Sequence, residues 1–352
     1  MRHTRRFPPF EPHPLLRNPH AMTLVAKFYP RGNPLRNIPM ESRLFTVAPQ
    51  TQLLGFCHWQ YTRHSTGTVV LVHGLEGCCD SHYMAGLAAK AWQAGLNVIR
   101  LNQRTCGGTE HLASSLYNCG LSMDIRAVVT ELSQVDGLES IALIGYSMGG
   151  NLILKMAGET EALPSLTGVF AVCPNIDPTQ CIAALEHPTN RLYHDYFFKR
   201  LKARVIRKAA LFPGKWDLTP LKSMKTVREF DEYYTAPDGG YGNAAQYYDL
   251  SGARHVLHKI QVPTVILTAQ DDPFIPCSMF SIPAIAGNPF IDLVVTSSGG
   301  HCGFFQRRQS GEDYYWAENR LIEMISRRHP RHHDHLQAVS FEEAGMEGGM
   351  AP

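Results

Sequence analysis

Nothing in this chain is apolar for the roughly 20 consecutive residues that a helical membrane span requires, so no such span is expected anywhere in its 352 residues. An excess of one charge is lacking as well: 33 Lys and Arg face 31 Asp and Glu, for a formal net charge of +2. No helix-like segment concentrates basic residues among aromatics, so there is no footprint for nucleic acid. No C-x-x-C pair occurs among the nine cysteines. Their scatter suggests neither a zinc site nor a disulfide framework, and reduced, mostly buried thiols are expected. The basic opening, Met1 to Pro9, is broken by Pro8 and Pro9 and followed by no apolar signal core, so a cytoplasmic location is expected. Disorder of the whole is excluded by 44% hydrophobic against 18% charged residues.

At this length the expectation is one large domain with an insertion. Residues 1–40, rich in proline and arginine, read as an arm lying over the body. Arg43 to Val47 and Leu53 to Gln60 read as the two strands of an edge hairpin. Strand-like and helix-like stretches then alternate: Thr68 to Val72, a helix near Tyr83 to Ala94, Asn97 to Leu101, a helix over Asp124 to Gln134, the strand Ser140 to Ile144, and Leu166 to Cys173. After about 85 residues, far more than an ordinary connection, come the strands Val262 to Thr268 and Ile291 to Thr296 and a helix over Gly311 to Arg328. This alternation predicts an α/β fold with a mainly parallel sheet covered on both faces. The expected parts are a core at 41–175 and 261–328, a mostly helical cap at 176–260, and a disordered tail at 329–352. In that tail His332, His333 and His335 read as solvated rather than metal-binding.

The chemistry is carried by Gly145-Tyr146-Ser147-Met148-Gly149, which stands where an apolar run ends and a helix-like segment with Leu152, Ile153 and Met156 begins. A turn this abrupt exposes the serine hydroxyl and leaves no room for side chains beside it, which explains the two glycines. It also aims the N–H of Met148, at a helix N-terminus, at developing negative charge. An acid and a histidine follow, each just past an expected strand: Asp271-Asp272 after Thr268, and His301 in Gly299-Gly300-His301-Cys302-Gly303. Serine, then acid, then histidine is the chain order of the α/β-hydrolases. Asp272 is favoured because Pro273 and Pro276 fix the turn behind it, while Asp271 competes and is read as shaping the loop. Cys302 lies on no such elbow and is not read as a nucleophile. In His73-Gly74-Leu75-Glu76-Gly77 the N–H of Leu75 is the expected second donor to an oxyanion, and His73 is read as structural.

With these residues in view, the chain resembles the α/β-hydrolase superfamily, and within it the YheT-like branch of esterases related to animal α/β-hydrolase domain proteins that act on lipids. The resemblance covers roughly residues 15–328. It rests on Arg17-Asn18-Pro19-His20, His73 to Gly77, Asn102-Gln103-Arg104 with Gly107-Gly108, Gly145 to Asn151, Arg228-Glu229-Phe230-Asp231 with Tyr234-Thr235, and Asp271 to Phe274. Ala21-Met22 and Cys119 to Ser122 depart from the family pattern without touching the acid, base or nucleophile. The resemblance implies Ser147 as nucleophile, Asp272 as acid and His301 as base. The expected reaction is hydrolysis of a carboxylic ester through an acyl-enzyme, with no metal and no organic cofactor. Phe230, Tyr233 and Tyr234 in the cap suggest an apolar, lipid-like ester. Acyl transfer, thioester hydrolysis and a non-catalytic binding protein on the same fold are the rivals. The run Lys199 to Lys208 leaves weak peripheral membrane contact open, and no protein partner is inferred.

Overall fold

The computed structural model describes residues 8–32 and 34–327. Two antiparallel strands, β1 (Glu41–Ala48) and β2 (Thr51–His58), form the edge hairpin. Six more follow: β3 (Thr68–Val72), β4 (Asn97–Leu101), β5 (Ile141–Tyr146), β6 (Leu166–Val172), β7 (Thr264–Ala269) and β8 (Ile291–Thr296). They make one sheet in the order β1-β2-β4-β3-β5-β6-β7-β8, and all pairings among β3 to β8 are parallel. Every residue of β3, β4, β5 and β7 is buried, as expected where helices cover both faces of a parallel sheet. The chain leaves β3 towards β4 and later returns to its other side as β5. That reversal opens a crevice at the carboxyl ends of β3 and β5, where ligands bind in open α/β sheets.

The covering helices form two groups. α1 (Pro19–Phe28) and α2 (His82–Gln93) lie with the closing helix Trp316–Ser326, while α3 (Ser122–Gln134) packs beside α4 (Met148–Glu159). The arm therefore carries a helix, started by Asn18, whose side chain accepts from the N–H groups of His20 and Ala21. Met22 and Ala26 of α1 join Leu16, Phe305 and Tyr315 in a small second core. Between β6 and β7 the chain is helical, with α5 (Pro178–Leu185), the 21-residue α6 (Arg191–Leu211) and several shorter turns.

Several expected boundaries move by a few residues, two of them for a plain reason. β7 starts at Thr264 because Pro263 has no N–H for the ladder. The closing helix starts at Trp316, not Gly311: Gly311 is left-handed at φ +79°, and the stretch is pinned by bridges of Gln309 to Glu312 and Phe305 to Tyr315. The tail expected over 329–352 lies outside the described residues.

Candidate active site

β5 runs into α4 through Ser147, whose φ of +52° and ψ of −116° are sparsely populated for any residue with a Cβ. The turn is held by Ser147 N–H, which donates to Val172 O at 2.8 Å, and by Asn151 N–H, which donates to Ser147 O at 3.0 Å. A Cβ on Gly149 would run into the carbonyls of Val72 and His73, and one on Gly145 into the Gly149 backbone. Asn151 ties the elbow to distant loops: it donates to Cys119 O and Ser251 O and accepts from Ala253 N–H at 2.8 Å.

The two aspartates divide as their surroundings dictate. Asp272 Oδ2 lies 2.8 Å from His301 Nδ1, and its Oδ1 accepts from the N–H groups of Phe274 and Ile275 at 3.1 and 3.0 Å. Asp271 Oδ1 instead accepts from Gly300 N–H at 2.9 Å and braces the histidine loop. Burial disfavours a charged imidazole at His301, but the Asp272 carboxylate and the neighbouring Cys302 outweigh it and raise its proton affinity. Phe274 lies against the imidazole at 4.1 Å between ring centroids. Among the described residues no hydrogen bond joins Ser147 Oγ to His301. Such bonds often tighten only when substrate is bound.

The arm supplies a contact that no motif announces: His301 N–H donates to Thr23 Oγ1 of α1 at 2.9 Å. Gly300, at φ +57°, passes so near α1 that a Cβ would sit 2.6 Å from Pro19 O. His20 of the same helix stacks on Tyr193 of α6 at 5.7 Å. α1, the histidine loop and α6 thus meet.

At the end of β3 the loop His73 to Gly77 is immobilised from several sides. His73 is fully buried and held neutral, burial pushing it down to about 4, with Nδ1 bonded to Gly74 O at 2.8 Å and Nε2 accepting from Gln103 N–H at 3.2 Å. Gly74 N–H donates to Tyr83 Oη and Glu76 N–H to Tyr117 Oη, both at 2.9 Å. The N–H of Leu75 between them, like that of Met148, donates to nothing among the described residues. Both Leu75 and Met148 line the same cleft as Ser147.

Glu76, left-handed at φ +53°, is the second element that motifs alone do not explain. Its carboxylate takes two bonds of 2.9 Å from Arg204 of α6 and one of 2.8 Å from Tyr117 Oη, with the Glu76 and Arg204 side chains only 2% and 5% exposed. α6 is thereby riveted to the loop that carries Leu75.

The cleft above Ser147 lies between α5, α6 and the later turns of the segment that joins β6 to β7. Its wall is mostly apolar, with Ile182, Leu185, Phe197, Leu201, Val227 and Phe274 prominent, and it is interrupted by Asn175 and Asp231. Burial raises Asp231 to about 6, and Tyr248 Oη donates to it at 2.7 Å. The expected cap aromatics fall elsewhere. Val227, Asp231 and Thr235 turn one helical face to the cleft, so Phe230 and Tyr234 are buried on another side and Tyr233 is half exposed. Aromatic lining comes instead from Tyr117, Phe197, Tyr247, Tyr248 and Phe274. Within the basic run Arg204 binds Glu76 and the buried Lys208 donates to Glu110 O and Ala113 O, while Lys199, Arg200 and Arg207 stay exposed, Arg207 paired with Glu110. Among the described residues no helix is long and apolar enough to cross a membrane.

Comparison with known proteins agrees with this architecture. A family model described as the alpha/beta hydrolase fold matches residues 67–307. The chain is 34% identical over 261 residues, 73% of its length and 76% of the relative's, to YheT of Escherichia coli (strain K12), described as an esterase. It is 28% identical over 240 residues to the phospholipase ABHD3 of Mus musculus, covering 68% of this chain and 58% of that protein. The solved esterase Pf2001 of Pyrococcus furiosus superposes with a TM-score of 0.55 at 16% identity, over 92% of this chain and 98% of that one, a likeness of fold alone. The strand order, the elbow at Ser147 and these similarities together show that the chain belongs to the α/β-hydrolase superfamily, in its YheT-like branch of esterase and lipase-type hydrolases.

Proposed function

We propose that this protein hydrolyses carboxylic esters bearing an apolar acyl or alkyl group, with Ser147 as nucleophile, His301 as base and Asp272 as the acid that orients it. What carries the reading is one juxtaposition: a strained serine opens on an apolar cleft whose wall residue Phe274 lies against a histidine held 2.8 Å from a buried carboxylate. Ser147 Oγ attacks the ester carbonyl as His301 Nε2 takes its proton, and Asp272 stabilises the imidazolium. The free N–H groups of Leu75 and Met148 are the donors we assign to the oxyanion. Each such donor is worth about 3–4 kcal/mol of transition-state stabilisation. His301 then protonates the departing alcohol, and water, deprotonated in its turn by His301, releases the acid and restores Ser147.

We also assign residues 176–260 to the cap that shapes the substrate end of the cleft, and 41–175 with 261–328 to the catalytic core. Asn175 and Asp231 place polar groups in an otherwise apolar wall, which suits an amphiphilic, lipid-like ester. Purified protein should release p-nitrophenol from a series of acyl esters graded by length, and Ser147→Ala should abolish this while leaving the circular dichroism spectrum unchanged. Turnover that survives the substitution refutes the assignment. Ester exchange outpacing acid release when an alcohol is added would make the protein a transferase.

A further inference from the structure

Beside His301 stand two thiols that the ester reaction does not use. Cys173 follows the end of β6, Cys302 follows His301, and their Sγ atoms and an imidazole nitrogen all lie within 4.8 Å of one another. Both residues are left-handed, at φ +45° and +56°. That conformation costs about 1–3 kcal/mol and persists only where the surroundings impose it. Cys302 N–H donates to Cys173 Sγ at 3.4 Å, which fixes the two against each other. Neither is in a disulfide. His301 has committed Nδ1 to Asp272, which leaves Nε2 as its remaining ligand atom. A carboxylate behind a histidine that offers its far nitrogen is the support metal-binding histidines ordinarily have. Two sulfurs and an imidazole form a donor set for Zn²⁺ and similar thiophilic cations, not for Mg²⁺ or Ca²⁺. Tetrahedral zinc needs such ligands about 3.5–3.8 Å apart, so separations of up to 4.8 Å leave up to about 1.3 Å to close.

We propose that Cys173, Cys302 and His301 form a site for a thiophilic divalent cation of the Zn²⁺ type, and that filling it stops ester hydrolysis. On ligation each thiol, and His301 where Nε2 carries a proton, gives that proton to solvent, so a dication, two thiolates and a neutral imidazole make a neutral assembly with a fourth position for water. The Nε2 lone pair assigned to the Ser147 proton is then bound to metal. The site stands on geometry alone, and its effect on turnover rests on His301 being the base.

The test adds Zn²⁺ to the full chain during ester turnover and uses Co²⁺ as a spectroscopic probe. Zn²⁺ should abolish turnover and EDTA restore it, while Mg²⁺ and Ca²⁺ leave it unchanged. One equivalent of Co²⁺ should give a thiolate-to-metal charge-transfer band in the near ultraviolet in wild-type protein and in Ser147→Ala. The band should be lost in Cys173→Ser and retained in a Cys78→Ser, Cys79→Ser control. Asp272→Asn should weaken Co²⁺ binding by about 10–100-fold. Cys173→Ser should also hydrolyse esters as before and resist Zn²⁺. No band at one equivalent, or Zn²⁺ inhibition that persists without Cys173, overturns the proposal. A wild-type band without loss of turnover overturns the switch and also the role given to His301. The wild-type spectrum, with its reversal by chelation, decides the matter even where a variant fails to fold.

Discussion

Replacing Arg204 with methionine should destabilise the protein far more than an ordinary cap substitution and should slow catalysis. The Glu76 carboxylate is 2% exposed and receives two of its bonds from this guanidinium, which also donates to Thr105 O and lies 4.7 Å above the Tyr117 ring. Removing one member of a buried pair costs about 3–5 kcal/mol, and the half-exposed Arg200, 3.6 Å from Glu76 Oε2, offsets only part of the charge left behind. Exposed pairs contribute at most about 1 kcal/mol, so solvent screening does not reduce the estimate here. Against a typical total of about 5–15 kcal/mol, the loss is large. Replacing both partners, as in Glu76→Leu with Arg204→Met, removes the stranded charge and should recover most of it. Leu75 is the neighbour of Glu76, so a loosened carboxylate should displace the N–H assigned to the oxyanion. In Arg204→Met kcat should fall while KM changes little. Urea unfolding of the wild type, both single variants and the double gives the coupling energy, and steady-state ester kinetics give the second readout. An Arg204→Met protein that unfolds at the wild-type urea concentration would refute the reasoning, as would a double variant less stable than either single one.

The base form of His301 is the neutral one, and its proton affinity lies above the ordinary value of 6.5. The rate of Ser147 acylation should therefore rise with pH through a midpoint above 6.5, and a midpoint at or below that value contradicts the Asp272–His301 assignment. By the same sign, stabilisation of the fold by the charged pair is complete below the unfolded-state value and is lost as pH rises through the higher folded one. Gly149→Ala should cost at least about 1–3 kcal/mol and remove activity, because its Cβ meets carbonyl oxygens rather than movable side chains. A stable, active variant would mean that the elbow is looser than described.

Much of the fold was legible because the signals are local. Ile291 to Thr296, Asn97 to Leu101 and Thr68 to Val72 are strands over those same residues, since short β-branched runs between turn residues have few alternatives. The elbow was legible for the same reason. Contacts made across the chain were not. Thr23 lies 278 residues from His301 in sequence, and nothing local marks it as the acceptor that holds the histidine loop. Cys173 and Cys302 meet only because β6 and the histidine loop converge. The inward turn of Arg204 and Lys208 depends on which face of α6 the core receives, and a run of basic residues shows no face by composition. Phe230 and Tyr234 misdirected the expectation for a related reason. Aromatic residues signal burial, but it is their polar neighbours Asp231 and Thr235 that look into the cleft.

The central claim is that Ser147 is a nucleophile activated by His301. A fluorophosphonate probe followed by peptide mass spectrometry tests it most directly, because the reagent forms a covalent bond only with an activated serine. One adduct per chain, on Ser147, absent from Ser147→Ala and formed far more slowly in His301→Ala, is the expected result. A folded protein that takes up no probe, or carries it on another residue, would contradict the account.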